Sequence, residues 1–463
     1  MLETKDEISL EQLCGKFSPQ GILQQRFQHR RRVMARVLAP SQWLEAKRAT
    51  DLALAAALLV PSLPLFALLR LFCGPVQRTT RVGRWAETFS EYSFDPKRAR
   101  VFSRLPCLLN ILAGQMSFVG PRATIPGELT PNQRTVRRRY DVRPGLLCTW
   151  WIRQRANIGY DGESLADAEY AENPTLAGDV AIALRAIPAA FYGEAVEEVP
   201  EKVSLLDIPV DNLAMTEAVE VLVDLTDSYR TQQVAFVNAD CANISFKNDD
   251  YRKTLQEDAD MVLADGIGMK LAGNVLKRPI KQNVNGTDLF PRLCAELENT
   301  GKGLFLLGAK PGVAEAVANW VRENHPGMLI SGVQHGYFSA DEEPAVLEKI
   351  ASSGASLLLV AFGAPRQDQW IAAHKHELGS VKVAIGVGGL FDFFSGEKQR
   401  APLWLREMGM EWAFRLYLEP ARLWKRYVVG NGLFLMRVLW WRITHRGGES
   451  VAMGQGWTEE RRV

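Results

Sequence analysis

The sequence predicts an α/β protein. It reads as a Rossmann-like, parallel-sheet domain with a C-terminal helical appendage, preceded by a mixed α/β membrane-associated domain with a re-entrant helix. Three observations predict it. From Val203 onward, short apolar runs alternate with segments of helical period, as strands and crossover helices do in a parallel sheet. Residues 52–69 carry no charge and are long enough to be a membrane-helix candidate. Beyond Pro402 the pattern becomes helical and rich in Trp and Arg.

A chain of 463 residues is too long for one ordinary core, so two or three domains are expected. The expected order is a polar leader (1–44), a membrane-associated domain (45–193) and an acidic linker (194–202). An α/β domain (203–402), an amphipathic appendage (403–446) and a disordered polar tail (447–463) follow. Hydrophobic residues make up 47% and the mean hydropathy is −0.10, which suits a globular protein with a membrane-contacting part. The first forty residues are charged and lack an apolar core, so a cleavable signal peptide is not expected.

Pro61 and Pro64 sit in the middle of the apolar segment, residues 51–73. Each removes a backbone donor, so a kinked or broken helix that enters one leaflet and returns is expected. A straight span and a buried soluble helix are the alternatives. Net charge is only +2 but unevenly spread. Arg26, His29, Arg30, Arg31, Arg32 and Arg36 precede the apolar run, and Arg134, Arg137, Arg138, Arg139 and Arg143 form a second group. Basic residues beside an apolar segment favour the cytoplasmic side and anionic lipid. Nucleic acid is the rival partner, and no nucleic-acid module accompanies the charge, so none is expected. The six cysteines, Cys14, Cys73, Cys107, Cys148, Cys241 and Cys294, form no CxxC pair or Cys/His cluster. A reduced setting without structural zinc is expected.

Candidate strands are 234–237, 261–264, 303–307, 329–333, 356–362 and 381–387. Several end in polar clusters: Asn238 and Asp240; Asp265 and Gly266; Gly308 to Gly312 with Lys310; Gly363 with Arg366 and Gln367. Asn285, Gly286, Thr287 and Asp288 form another polar cluster. Ligands of open α/β sheets bind outside the carboxyl ends of the strands. Glycines there let backbone N–H groups face an anion, so a phosphate-bearing ligand fits. The pattern is neither a Walker A loop nor a GxGxxG fingerprint.

The blocks FVNADCANI, LADGIGMKLAG, VNGTDLFPRLC, LFLLGAKPGVAE, LLVAFGAPRQDQW, GVGGLFDFFSG, RAPLWLREMGMEW and RLYLEPARLWKRY run in order from about 203 to 440. They resemble glycosyltransferase family 26, the WecG/TagA/CpsF group, which includes N-acetylmannosaminyltransferases. The resemblance implies an inverting, UDP-sugar-dependent hexosyltransferase whose acceptor is a polyprenyl-diphosphate-linked sugar. Such a transfer needs one carboxylate to take the acceptor proton. Asp265 matches the family's motif aspartate and is the expected base. Asp240 and Asp288 are rival carboxylates, expected instead as caps or binding residues. The resemblance implies no cofactor and no metal, with Arg415, Arg422, Lys425 and Arg426 of the appendage covering the diphosphate. Asp258-Ala259-Asp260 has the spelling of a metal-binding Asp-X-Asp but precedes its strand, and reads as a helix end. Asn238, Gly308, Lys310, Arg366 and Gln367 are expected to line the nucleotide pocket. Phe236 stands where some members carry a threonine implicated in the site.

Residues 45–193 resemble the bacterial sugar transferases, monotopic phosphoglycosyl transferases acting on polyprenyl phosphate. RVGR at Arg81, LPCLLNILAGQMSFVGPR at Leu105 and VRPGLLCTWWIRQR at Val142 carry the match. That family places an adjacent Asp-Glu pair, nucleophile and magnesium holder, where this chain has Ser103 and Arg104. A serine with no adjacent base is a poor nucleophile, and an arginine repels a metal. The domain is therefore expected to have lost its chemistry and to persist as a pseudoenzyme anchor. Arg122, Arg143 and the basic run at Arg137, Arg138 and Arg139 are expected to hold a lipid headgroup. The expected partners are the lipid-linked acceptor, inner-leaflet lipid and a separate active phosphoglycosyl transferase upstream. A homo-oligomer is compatible with the sequence. The expected location is the cytoplasmic face of the bacterial inner membrane, in exopolysaccharide, capsule or related glycan synthesis. A bifunctional enzyme and a non-catalytic scaffold are the rivals.

Overall fold

Residues that are apolar in uninterrupted runs form strands buried on both faces, and those runs set the sheet at the centre of this protein. The structure, a computed structural model, describes residues 41–99, 102–127, 139–160, 162–172, 174–192 and 199–445. Residues 1–40 of the expected leader, most of the linker, the tail, and Arg134, Arg137 and Arg138 lie outside the described residues. The chain divides into two units, one ending at Phe191 and one starting at Tyr192.

Unit 1 opens with helix α1 (Ser41–Cys73). Residues 45–73 are long and apolar enough to cross a membrane, and almost none of that segment is buried. The break expected at the prolines does not occur, and the helix is continuous through Pro61 and Pro64. Leucine and alanine neighbours favour helix, and Ser62 Oγ adds a hydrogen bond to the Leu59 carbonyl at 2.8 Å. Strands β1 (Gln77–Val82) and β2 (Thr88–Ser93) form an antiparallel hairpin. Helix α2 (Cys107–Leu112) follows, then β3 (Ser117–Val119) and β4 (Gly145–Leu147), paired in parallel. Helices α3 (Thr149–Arg155), α4 (Gly162–Glu172) and α5 (Leu176–Phe191) complete the unit. A buried ion pair, Lys47 with Asp179, joins α1 to α5. On α5, Ile182, Ala186 and Ala189 are buried, while Leu176, Val180, Leu184, Ile187 and Phe191 are exposed at helical spacing.

The described residues of unit 2 contain one eight-stranded sheet. Its strands are β5 (Lys202–Leu205), β6 (Ile208–Asp211), β7 (Gln232–Val237), β8 (Met261–Ala264), β9 (Gly303–Gly308), β10 (Leu329–Gln334), β11 (Ala355–Ala361) and β12 (Val383–Gly386). Their spatial order is β10-β9-β11-β12-β7-β8-β6-β5, parallel except for the β5–β6 hairpin. The six strands read from the sequence are all present. The β5–β6 hairpin was not anticipated, because its turn places Leu206 (φ 53°) and Asp207 (φ 67°) in the left-handed region without the glycine that usually signals such a turn.

Helices α6 (Met215–Leu225), α7 (Ala239–Ser245), α8 (Ile267–Leu276), α9 (Gly286–Leu297), α10 (Val313–Asn324), α11 (Glu343–Ala351), α12 (Arg366–His374) and α13 (Leu390–Phe394) connect or flank the strands. The appendage comprises α14 (Leu403–Glu407), α15 (Glu411–Leu418), α16 (Pro420–Trp424) and α17 (Gly430–Thr444), with a π-helical turn at Lys425–Val429. Phe434 and Val438 of α17 are buried in one cluster with Cys241 and Ala242 of α7 and Met269 and Ala272 of α8. Burying one such phenylalanine stabilises the docked helix by about 2–3 kcal/mol. The opposite face of α17 leaves Leu435, Met436, Leu439, Trp440 and Ile443 exposed.

Candidate active site

The carboxyl ends of β7 and β8 place Asn238 and Asp265 side by side. Asn238 leaves β7 in an extended conformation and caps α7, its Oδ1 accepting from the Asp240 and Cys241 backbone N–H at 3.0 and 3.1 Å. That cap fixes the amide, which favours the charged form of the neighbouring Asp265 carboxylate. The Asp265 N–H donates to the Val237 carbonyl at 2.9 Å, tying the two strand ends together. Gly266 follows with φ +87°, a conformation that suits glycine, and its N–H donates to Asn283 Oδ1 at 2.5 Å.

Burial pushes the Asp265 carboxyl up from its ordinary value; Arg415 opposes this, Glu411 adds to it, and Asn238 and Arg426 oppose it further. The two arginines come from the appendage. Arg415 pairs with Glu411 at 3.3 Å and lies over the Phe393 ring at 4.7 Å. Its Nε is buried with no hydrogen-bond partner. Arg426 Nε meets Asp240 Oδ2 at 3.0 Å. Base candidate and cations thus gather at one sheet edge, brought there by the docking of α17.

The other expected residues are placed differently. Gly308 and Lys310 stand at the end of β9, and Arg366 beyond the end of β11. They share the sheet edge but lie on the far side of β12 from Asp265. Lys310 and Arg366 are exposed, and Arg366 stacks over Phe362 at 4.9 Å. Gln367 is buried, and its Oε1 accepts from Gly363 N (3.1 Å) and Gly388 N (2.8 Å), bolting together the loops after β11 and β12.

Asp288 is likewise committed to the protein. Arg400 grips its two oxygens at 2.8 Å each, Asn285 donates at 2.8 Å, and Arg406 stands at 3.5 Å. Burial would raise this carboxyl, but the Arg400 hydrogen bonds and charge, with Asn285 and Arg406, hold it below the usual range. Arg422 pairs with Glu419 and is well exposed, and Lys425 lies over the Trp424 ring. Asp260 accepts from Gln233 N and pairs with Arg230 at the start of β8, opposite the site edge. Phe236 packs against Gly286, where an added Cβ would sit 3.3 Å from its ring.

In unit 1, Ser103 is buried and its carbonyl accepts from Phe94 N at 2.7 Å. Arg104 donates to Glu91 at 2.7 Å and to the Leu146 carbonyl at 2.9 Å, while Arg81 holds the other Glu91 oxygen at 2.8 Å. Burial works against the Glu91 charge, yet Arg104 and Arg81 keep its carboxyl below the ordinary value. Arg122 pairs with Glu163, and Arg139 with Glu163 and Asp167, each at 2.6 Å. Arg122 and Arg139, expected at a lipid headgroup, are therefore neutralised internally. Arg143 donates to the Gly114 carbonyl at 2.9 Å and is half-buried.

Glu411, Asn283, Arg400 and Glu91 were not anticipated. Glu411 precedes Arg415 by one helical turn, a spacing that signals pairing. The others act across ten or more residues of sequence and leave no local signal.

Residues 203–448, more than half of the chain, match the family described as Glycosyl transferase WecG/TagA/CpsF. The chain belongs to that family. A second match, Bacterial sugar transferase, covers residues 77–193. Among relatives of this WecG/TagA/CpsF chain is the N-acetylglucosaminyldiphosphoundecaprenol N-acetyl-beta-D-mannosaminyltransferase of Bacillus subtilis (strain 168). It is 32% identical over 48% of this chain and 84% of its own length. The enzyme of the same name from Bacillus spizizenii is 35% identical over 39% and 69%. That of Staphylococcus aureus (strain MRSA252) is 29% identical over 49% and 86%.

Proposed function

We propose that unit 2 transfers a hexosyl group, with inversion, from a UDP-sugar to a polyprenyl-diphosphate-linked sugar. One observation carries this reading: Asp265 stands at a strand end next to the appendage, whose Arg426 pairs with the adjacent Asp240 and whose Arg415 and Arg426 charges favour its ionised form. In the reaction an acceptor hydroxyl oxygen bonds to the anomeric carbon as its proton passes to Asp265. The anomeric C–O bond to the diphosphate breaks, and UDP leaves with the electron pair. A carboxyl raised above its ordinary value is a better base near neutral pH than an unperturbed one. Arg415, with an unpartnered buried N–H, and Arg426 stabilise the departing charge. Asn238, Lys310, Arg366, Arg422 and Lys425 supply the remaining polar surface of the nucleotide site, without a metal. Named relatives act on a lipid-diphosphate-linked amino sugar, which supports an acceptor of that class.

Unit 1 acts in this reading as an inner-leaflet anchor without phosphoglycosyl-transfer chemistry. The exposed apolar helix α1 supports membrane association, and the apolar faces of α5 and α17 extend it. The Glu91 pairing of Arg104 supports the loss of chemistry. The test incubates detergent-purified protein with UDP-sugars and either polyprenyl phosphate or a polyprenyl-diphosphate sugar. UDP release with the second acceptor only, abolished by Asp265→Asn, is expected. UMP release with the first acceptor would overturn the inactive-unit reading.

A further inference from the structure

The appendage cations differ in what holds them. Arg415 and Arg422 pair within the appendage, with Glu411 and Glu419, and Lys425 lies over a tryptophan ring. Arg426 instead reaches out of the appendage to Asp240, on the first turn of α7. The two side chains are 39% and 33% exposed, so solutes reach the pair. Arg426 also attracts the Asp265 carboxylate, which places its guanidinium under the influence of two acids at adjacent strand ends. Asn238 stands between those acids, accepting from Asp240 N and favouring the charged form of Asp265.

We propose that Asp240 is a placeholder anion: it holds Arg426 over the strand ends until the diphosphate of the nucleotide displaces it. This rests on the nucleotide-site reading above. A guanidinium binds carboxylate and phosphate oxygens through the same fork of N–H groups. A partly exposed ion pair is weak, so a more highly charged diphosphate exchanges into it. After the exchange Asp240 remains beside the ligand and repels it, which limits product retention. Asp240 therefore sets nucleotide affinity by opposing the ligand rather than by contacting it favourably.

The test titrates the detergent-purified full chain with UDP and, separately, with uridine by calorimetry. The proteins are wild type, Asp240→Asn, Asp240→Ser, Arg426→Gln and the double variant D240N/R426Q. Both Asp240 variants are expected to bind UDP about 3- to 5-fold tighter, with uridine unchanged. Arg426→Gln weakens UDP binding, and in that background Asp240→Asn gains less than it does in wild type, because only the relief of repulsion is left. If wild type binds UDP and neither Asp240 variant binds it tighter, the placeholder role is overturned and the nucleotide reading stands. If wild type fails to bind UDP at all, both are overturned.

Discussion

The strand ends of unit 2 and the α2 entrance of unit 1 both bring arginine to carboxylate, with opposite results. At Glu91, two guanidinium groups satisfy both oxygens, and the carboxyl is held below its ordinary value. At Asp265 the arginines act from a distance while burial and Glu411 push the carboxyl up. A fully paired acid is a structural element and a poor proton acceptor. An incompletely compensated one retains basicity and reach. On the proposed reading, the contrast separates a site poised for proton transfer from one that is closed by its own salt bridges.

The largest effect that could break this contrast is on catalysis. Asp265→Asn should lower turnover about a thousandfold with the fold retained. Circular dichroism and UDP-release assays together check this, and a variant within tenfold of wild type would refute the base assignment.

Next, S103D/R104E should not restore sugar-phosphate transfer. Removing Arg104 leaves the buried Glu91 beside a second acid, a destabilisation of about 3 kcal/mol. Denaturant unfolding measures the loss, and a variant as stable as wild type that releases UMP would show that the closed site can be reopened.

Arg415→Gln should cost about a hundredfold in kcat through lost stabilisation of the leaving group. It should also move the acid limb of the pH–rate profile upward. On the proposed reading activity requires ionised Asp265, so it rises with pH through the raised Asp265 value. Arg415 is the largest influence opposing that rise, so removing it shifts the limb further. A limb that stays in place would remove Arg415 from the base's surroundings.

The smallest effect sharpens the comparison with a third carboxylate. Asp368 is buried without an arginine, accepts from Tyr251 Oη at 3.2 Å, and is pushed up to about 7 by burial. The native state holds its proton where the unfolded chain releases it. Its contribution to stability therefore declines as pH rises from about 4 to about 7 and stays low above that. Asp368→Asn should raise stability at pH 8 by about 1–2 kcal/mol, with the advantage shrinking toward pH 4. Equal melting gains at both pH values would contradict the burial account.

The six parallel strands β7–β12, the long apolar helix and the Asn238 and Asp265 strand ends were legible from residue order alone, because apolar runs and polar breaks report local burial. The chain's length of unpatterned apolar sequence identified α1, but its continuity through two prolines did not follow from composition. Tertiary packing alone decided the rest. Asp288 and Gln367 were expected at the nucleotide, and partners up to 118 residues away hold them within the protein. Arg122 looked free for lipid and is paired with Glu163. A carboxylate's role depends on which charges reach it through space, and the docking of α17 on α7 and α8, not the spacing of residues, brings Arg426 to Asp240.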